Sequence, residues 1–227
     1  MKHLGNLLIL ASLFVCNGQI INVQRGGLST VSYELNNGFK MPALGFGTSQ
    51  LGNSSTTKSA VKTAVQTGYR LIDTATRYEN EAEIGEALNE LFQQQTVKRD
   101  DIFVTTKVWP NSFTHERVLD SIRTSLKNLK LDRLDLVLLH FPAGFKSGTE
   151  PWPIFSNGTV IPLTWQKNGF LEAWKAMEEA VGLNLTQSIG VSNFNEKQMD
   201  ILMENAKIKP VLNQVSFRFL SLSRILS

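Results

Sequence analysis

The chain has 227 residues, 42% of them hydrophobic and 19% charged, with a formal net charge of +3 at pH 7. This is the make-up of a soluble globular chain of one or two domains, long enough to bury a substantial core. Acidic and basic residues are interspersed, and no basic run or aromatic-interleaved patch points to nucleic acid as a partner.

Lys2 precedes an apolar run from Leu7 to Val15, closed by Cys16, Asn17 and Gly18. That order is the charged, apolar, small-residue sequence of a secretory leader, so residues 1–18 are expected to be removed. The run is well short of the ~20 residues that span a bilayer, and no later segment is apolar enough to do so. No membrane association is therefore expected after cleavage, and the expected location is secreted or lumenal, or cytoplasmic if the leader is not used. Three sequons, at Asn53, Asn157 and Asn184, agree with export as possible glycan sites. Cys16 is the only cysteine, so the mature chain is expected to hold no disulfide and no cysteine-bound metal. His3, His115 and His140 are too scattered to form a metal site, and none is expected.

From Tyr33 to Pro42 the sequence predicts a hairpin turning on Asn37-Gly38, the preferred two-residue loop. Ala43 to Thr48 reads as a first strand ending in glycines. Gly45-x-Gly47 is not a dinucleotide fingerprint, since Gln50 stands where the third glycine belongs. Close backbone packing explains it as well. A helix capped by Ser54 or Ser55 carries Val61, Ala64 and Val65 and ends at Gly68. Tyr69 to Ile72 is a second strand with Asp73 at its end, followed by a polar turn holding Tyr78. Ile84, Leu88 and Leu91 then mark one face of a helix. Ile102 to Lys107 is the third strand. A helix capped by Thr114 follows, with Val118, Ile122, Leu126 and Leu129 along one stripe. Leu134 to His140 is the fourth strand, apolar on both faces as in a sheet covered by helices.

Phe141 to Leu163 is a Gly/Pro-rich stretch too long for a simple connector. A helix carrying Leu171, Trp174, Met177 and Val181 leads to a fifth strand, Ser188 to Ser192. Another, carrying Met199, Leu202, Met203 and Ala206, leads to a sixth, Val211 to Val215. Strand and helix alternate throughout, which predicts a parallel, right-handed βα array.

Asp73, Tyr78, Lys107 and His140 stand at the ends of three successive strands. Alone, each has a bland explanation as a cap, a solvated charge or a satisfied core residue. Together they are the parts of a proton-transfer site. A phenol with an unperturbed pKa of ~10 donates poorly near neutrality. An ammonium beside it favours the phenolate, and a carboxylate keeps that ammonium charged and in position. Tyr78 then suits a general acid toward a carbonyl oxygen, with neutral His140 orienting that oxygen. Such a site needs a hydride that no side chain provides, so a nicotinamide cofactor is implied.

Gly45-Phe-Gly-Thr48, Gly68 to Gly85 with Asp73 and Tyr78, Thr106-Lys-Val-Trp109, Leu138 to Pro142, Ile189 to Phe194 and Asn213-Gln-Val215 come in one order and at one spacing. As a set they resemble the aldo-keto reductases, over about residues 33–215. The resemblance implies Tyr78 as acid, Lys107 and Asp73 as its tuners, and His140 as substrate orienter. It implies that Ser192, Asn193 and Gln214 bond the nicotinamide carboxamide, with Thr48 and Asp73 near the adjoining ribose. Trp109 and Phe141 match positions walling the pocket for a small carbonyl substrate. The implied reaction is NADPH-dependent reduction of aldehydes and ketones, on a (β/α)8 barrel.

Only six of the eight βα units are expected in this chain, an incomplete TIM-barrel type. Residues 216–227 read as a divergent tail, with Ser216, Arg218 and Phe219 where the family commonly has Glu, His and Pro. The family's later loops hold the cofactor phosphates through charge-assisted contacts. Two readings follow: an aldo-keto reductase-type oxidoreductase, or a truncated, catalytically inactive secreted derivative acting as a binding protein or having no activity.

Overall fold

The structure, a computed structural model, describes residues 31–52, 55–143 and 169–215. The expected leader, the sequons at Asn53 and Asn157, most of the 141–163 stretch and residues 216–227 lie outside the described residues. Among the described residues no helix is long and apolar enough to cross a membrane.

An antiparallel hairpin, β1 (Ser32–Glu34) and β2 (Lys40–Pro42), opens the described chain. Its loop differs from the expected two-residue turn. The Gly38 amide donates to the Leu35 carbonyl, and the Leu35 amide to that of Phe39. Only Gly38 in the loop has a positive φ, +83°. A two-residue Asn-Gly turn needs positive φ at both positions, whereas a three-residue loop needs it only at the glycine that closes it. The loop is therefore Asn36-Asn37-Gly38. Asn36 Nδ2 donates to the Pro210 carbonyl, and Asn37 Nδ2 to Ser188 Oγ at 3.0 Å each, fastening the hairpin across the main sheet.

That sheet has six parallel strands in sequential order: β3 (Phe46–Gly47), β4 (Leu71–Asp73), β5 (Phe103–Val108), β6 (Leu134–Leu139), β7 (Thr186–Ser192) and β8 (Asn213–Gln214). Between them run α1 (Ser55–Gln66), α2 (Glu81–Gln93), α3 (His115–Leu129), α4 (Phe170–Gly182) and α5 (Glu196–Asn205). The architecture is α/β, an incomplete (β/α)8 barrel in which the described residues supply six strands. β5 and β6 are buried along their whole length, as strands covered on both faces must be.

The two-residue period of a strand divides these residues between two cores. Ile72, Val104, Val137, Leu139, Ile189 and Val191 pack outward with the helices. Leu71, Phe103, Leu136, Leu138 and Leu212 face inward, where Leu35 and Met41 of the hairpin join them. Gly190 makes room on the inner side, since a Cβ there would stand 2.8 Å from Leu138 Cδ2 and 2.9 Å from the Leu212 carbonyl oxygen. Gly45 fits the packing explanation given above, as its Cβ would meet Leu71 Cδ2 at 2.4 Å; Gly47 faces open space.

The helix stripes fall where the 3.6-residue period puts them, with one exception. Met203 was expected on the buried face of α5, but it is 43% exposed, and Leu202 is the only fully buried residue within that helix. A short helix beside a two-residue strand has little sheet to cover, so its stripe narrows. Thr114 stands at the cap position of α3, but its side chain makes no capping bond. The α1–α2 surface is laced by ion pairs of Lys58 with Glu86 and of Lys62 with Glu90.

At Gly85, α2 lies against the backbone of α3. A Cβ there would lie 2.3 Å from the Asn128 carbonyl oxygen and 2.6 Å from the Leu129 carbonyl carbon. Backbone cannot step aside as a side chain can. Gly85→Ala is expected to destabilise the fold by about 1–3 kcal/mol through overpacking, read as a lower urea midpoint at unchanged slope.

Candidate active site

The inward parity that fills the barrel with leucines lower down places different residues at the strand C-termini. Leu71 is followed inward by Asp73, Phe103 by Thr105 and Lys107, Leu138 by His140, and Leu212 by Gln214. Register steps them along the sheet: Asp73 pairs with Thr105, two residues before Lys107, and Lys107 with Leu138, two before His140, while Ser192 pairs with Gln214. The candidate site is thus the top layer of the barrel interior.

Lys107 is its centre. The side chain is 2% exposed, and Nζ donates to Asp73 Oδ1 at 2.6 Å and to the Thr74 carbonyl at 3.0 Å. The third interaction runs to Tyr78 Oη at 3.4 Å, a long hydrogen bond of the kind that tightens in complexes. Tyr78 closes a one-turn 3-10 helix, Thr76–Tyr78, directly after β4, so its ring leans over the lysine. Asp73 is held from several sides. Gln214 Nε2 donates to Oδ2 at 3.1 Å, and the Thr48 amide and hydroxyl both donate to the Asp73 carbonyl at 3.0 Å. Thr48 is wholly buried, so its hydroxyl acts through Asp73.

His140 completes the rim beside an aromatic wall. Its ring stacks on Phe141, with centroids 5.3 Å apart and planes 8° apart, and meets Trp109 and Tyr78 edge-on at 4.9 and 5.8 Å. Burial, helped by the nearby Lys107 charge, pushes its pKa down to about 3. The imidazole is therefore neutral near pH 7, and its buried Nδ1 has no hydrogen-bond partner.

The third group sits on the adjoining strands. Ser192 Oγ donates to the Gln214 carbonyl at 2.8 Å, and Asn193 Nδ2 reaches both Ser192 Oγ and the His140 carbonyl at 3.0 Å. Asn193 has φ +62°, a left-handed conformation that Asn tolerates better than most residues. The bonds from Gln214 to Asp73 and from Asn193 to His140 join this group to the other two. Hydroxyl and amide groups of neutral side chains, grouped in this way, have the donor and acceptor types that a carboxamide needs.

All ten residues singled out in the sequence thus gather at one end of the barrel. Sequence reasoning missed the Thr74 carbonyl, which no side-chain pattern announces. It also missed Asn80, whose fully buried side chain donates to the Thr48 carbonyl and accepts from Thr74 Oγ1. Glu81, 4% exposed, was passed over because an acid in the first turn of a helix has an ordinary electrostatic use. A cavity of about 480 Å³ opens elsewhere, between α2 and α3, and Trp109 is the only one of the ten that lines it.

The sequence pattern described as the aldo/keto reductase family matches residues 43–225. Human aldo-keto reductase family 1 member C1 is 41% identical over 186 residues, 80% of this chain and 57% of that protein. Danio rerio aldo-keto reductase family 1 member A1-A is 42% identical over 187 residues, 82% and 56%. Among solved structures, the aldose reductase of Schistosoma japonicum superposes with a TM-score of 0.77 at 39% identity, covering 82% of this chain and 60% of that one. The Bombyx mori aldo-keto reductase in complex with NADP gives 0.70 at 34%, covering 82% and 57%. The chain spans 55% to 61% of the length of the curated relatives it matches. On the extent of the sequence match and the shared fold, the chain belongs to the aldo/keto reductase family.

Proposed function

We propose that the protein is an NADPH-dependent reductase of aldehydes and ketones. The observation that carries this reading is the position of Lys107 Nζ, held between Asp73 Oδ1 and Tyr78 Oη in a nearly dry site. A phenol oxygen within reach of a buried ammonium that is itself paired with a carboxylate has the surroundings a proton donor to a carbonyl needs. Tyr78 is the general acid, giving its proton to the carbonyl oxygen as negative charge develops there. Lys107 stabilises the phenolate left behind, and Asp73 holds Lys107 in place. Neutral His140 donates a hydrogen bond to the same oxygen. Trp109 and Phe141 exclude water and flank the substrate.

Ser192, Asn193 and Gln214 would hold the nicotinamide carboxamide, and Asp73, braced by Thr48, would lie near the ribose. Bound NADPH supplies the hydride for carbonyl reduction. The Bombyx mori relative, in complex with NADP, supports this cofactor. Residues 33–215 form the catalytic unit in this reading. Export is part of it too, resting on the 1–18 leader pattern. Asn184, between α4 and β7, is exposed at the strand ends opposite the site, where a glycan leaves the cleft open.

Tyr78→Phe is expected to lower kcat by about 10²–10⁴-fold with NADPH affinity within twofold of the parent, measured by quenching of protein fluorescence. No quenching of the parent at millimolar NADPH would remove the enzyme reading and leave that of a binding protein. His140 supplies a test of its own. The unfolded chain takes up the imidazole proton below about pH 6.5, and the folded chain only near pH 3. Its contribution to stability is complete above pH 6.5 and falls toward pH 3, by at most about 1.4 kcal/mol per pH unit. His140→Gln is expected to flatten the stability profile in that window, and a slope identical to the parent's counts against a neutral His140.

A further inference from the structure

Glu81 is a buried acid that the proposed chemistry does not use. It stands three residues after Tyr78, at the first position of α2, and faces the outer side of the sheet. Thr106 Oγ1 donates to its Oε1 at 2.6 Å, and Ser125 Oγ of α3 donates to its Oε2 at 3.1 Å. Burial raises its pKa against the opposing pull of Thr106, Ser125 and Asn128. Thr106 is the outward-facing neighbour of Lys107 on β5. On the other side of Tyr78, Thr76 Oγ1 donates to the Lys107 carbonyl at 3.1 Å. The short turn that carries the phenol is therefore tied at both ends to the strand that carries the ammonium, at consecutive residues of that strand.

We propose that Glu81, with Thr76, is a positioning residue that sets the separation of Tyr78 Oη from Lys107 Nζ. This deepens the reductase reading and rests on it. A 3-10 turn of three residues has little stiffness of its own. Without the Glu81 tie that side of the turn is held through Asn80 alone, and a long hydrogen bond such as that from Lys107 to Tyr78 is lost by a small displacement. The Glu81 carboxyl does this through the placement of its two acceptor oxygens rather than through charge. A glutamine can reproduce it, accepting from Thr106 through Oε1 and donating to Ser125 Oγ through Nε2.

The test compares Glu81→Gln, Glu81→Ala, Thr106→Val and Thr106→Ser in the full chain, each first shown to be folded by circular dichroism and thermal melting. Two readouts are taken. One is steady-state reduction of a small aromatic aldehyde with NADPH. The other is the ionisation of Tyr78, followed by NMR of carbon-13 at the tyrosine Cζ, with Tyr78→Phe to assign the signal. Glu81→Ala and Thr106→Val are expected to lower kcat at least tenfold with KM within twofold, and to move the Tyr78 titration. Glu81→Gln and Thr106→Ser are expected to stay within threefold of the parent and to leave the titration in place.

A folded Glu81→Ala or Thr106→Val with parental kcat and an unmoved Tyr78 titration overturns the proposal. So does a Glu81→Gln as impaired as Glu81→Ala. If Glu81→Ala does not fold, the Thr106 pair decides alone, because it removes the same hydrogen bond from the other side. A parent without turnover sinks the reductase reading, whereas the Tyr78 titration still reports on positioning in that case.

Discussion

One buried ammonium governs the upper half of this barrel. Lys107 is nearly inaccessible, and removing either member of a pair such as Lys107–Asp73 typically costs about 3–5 kcal/mol, because the other is left as an uncompensated charge. The surroundings meet that demand with a carboxylate, a backbone carbonyl and a phenol, all within reach of one nitrogen. Each is fixed in turn: Asp73 by Thr48 and Gln214, the Tyr78 turn by Thr76 and Asn80's neighbourhood. Satisfying one charge in a dry place has organised the ends of β4, β5 and β8.

The sheet makes this possible because the rule that builds the hydrophobic interior also delivers polar groups to its rim. Along β5, inward positions run Phe103, Thr105, Lys107, from apolar through hydroxyl to charge, while Val104 and Val108 pack under helices. A slip of one residue in register would send Lys107 to the helix side and Thr106 into the barrel. The site is therefore a property of register as much as of composition. Its aromatic wall lowers the polarity around His140 and keeps the imidazole uncharged, which suits a donor and would not suit a proton store.

Much of this was legible before any coordinates. The alternation of apolar strands with amphipathic helices announces a parallel βα array, the family resemblance implies that the array is a barrel, and a set of chemically complementary residues at strand ends announces the rim. What stayed hidden was whatever depends on backbone rather than side-chain type. The Thr74 carbonyl leaves no trace in residue identity, and the hairpin loop was mistaken because Asn-Gly suits both a two-residue turn and the end of a three-residue loop. Met203 obeyed helical spacing but had no sheet beneath it. Glu81 was hidden by an ordinary alternative, since only burial separates a structural acid from one that merely favours a helix N-terminus.

The bond from Gln214 to Asp73 joins residues 141 positions apart in the chain. Contacts of such sequence separation close the largest loops, and they are formed against the largest entropy of chain closure. Helix pairs such as α1–α2 and neighbouring strands can assemble from nearby chain, but the whole rim cannot. Lys107, Asp73 and Tyr78 meet across short stretches of chain, whereas the bond that braces Asp73 from the far side exists only once β8 has docked.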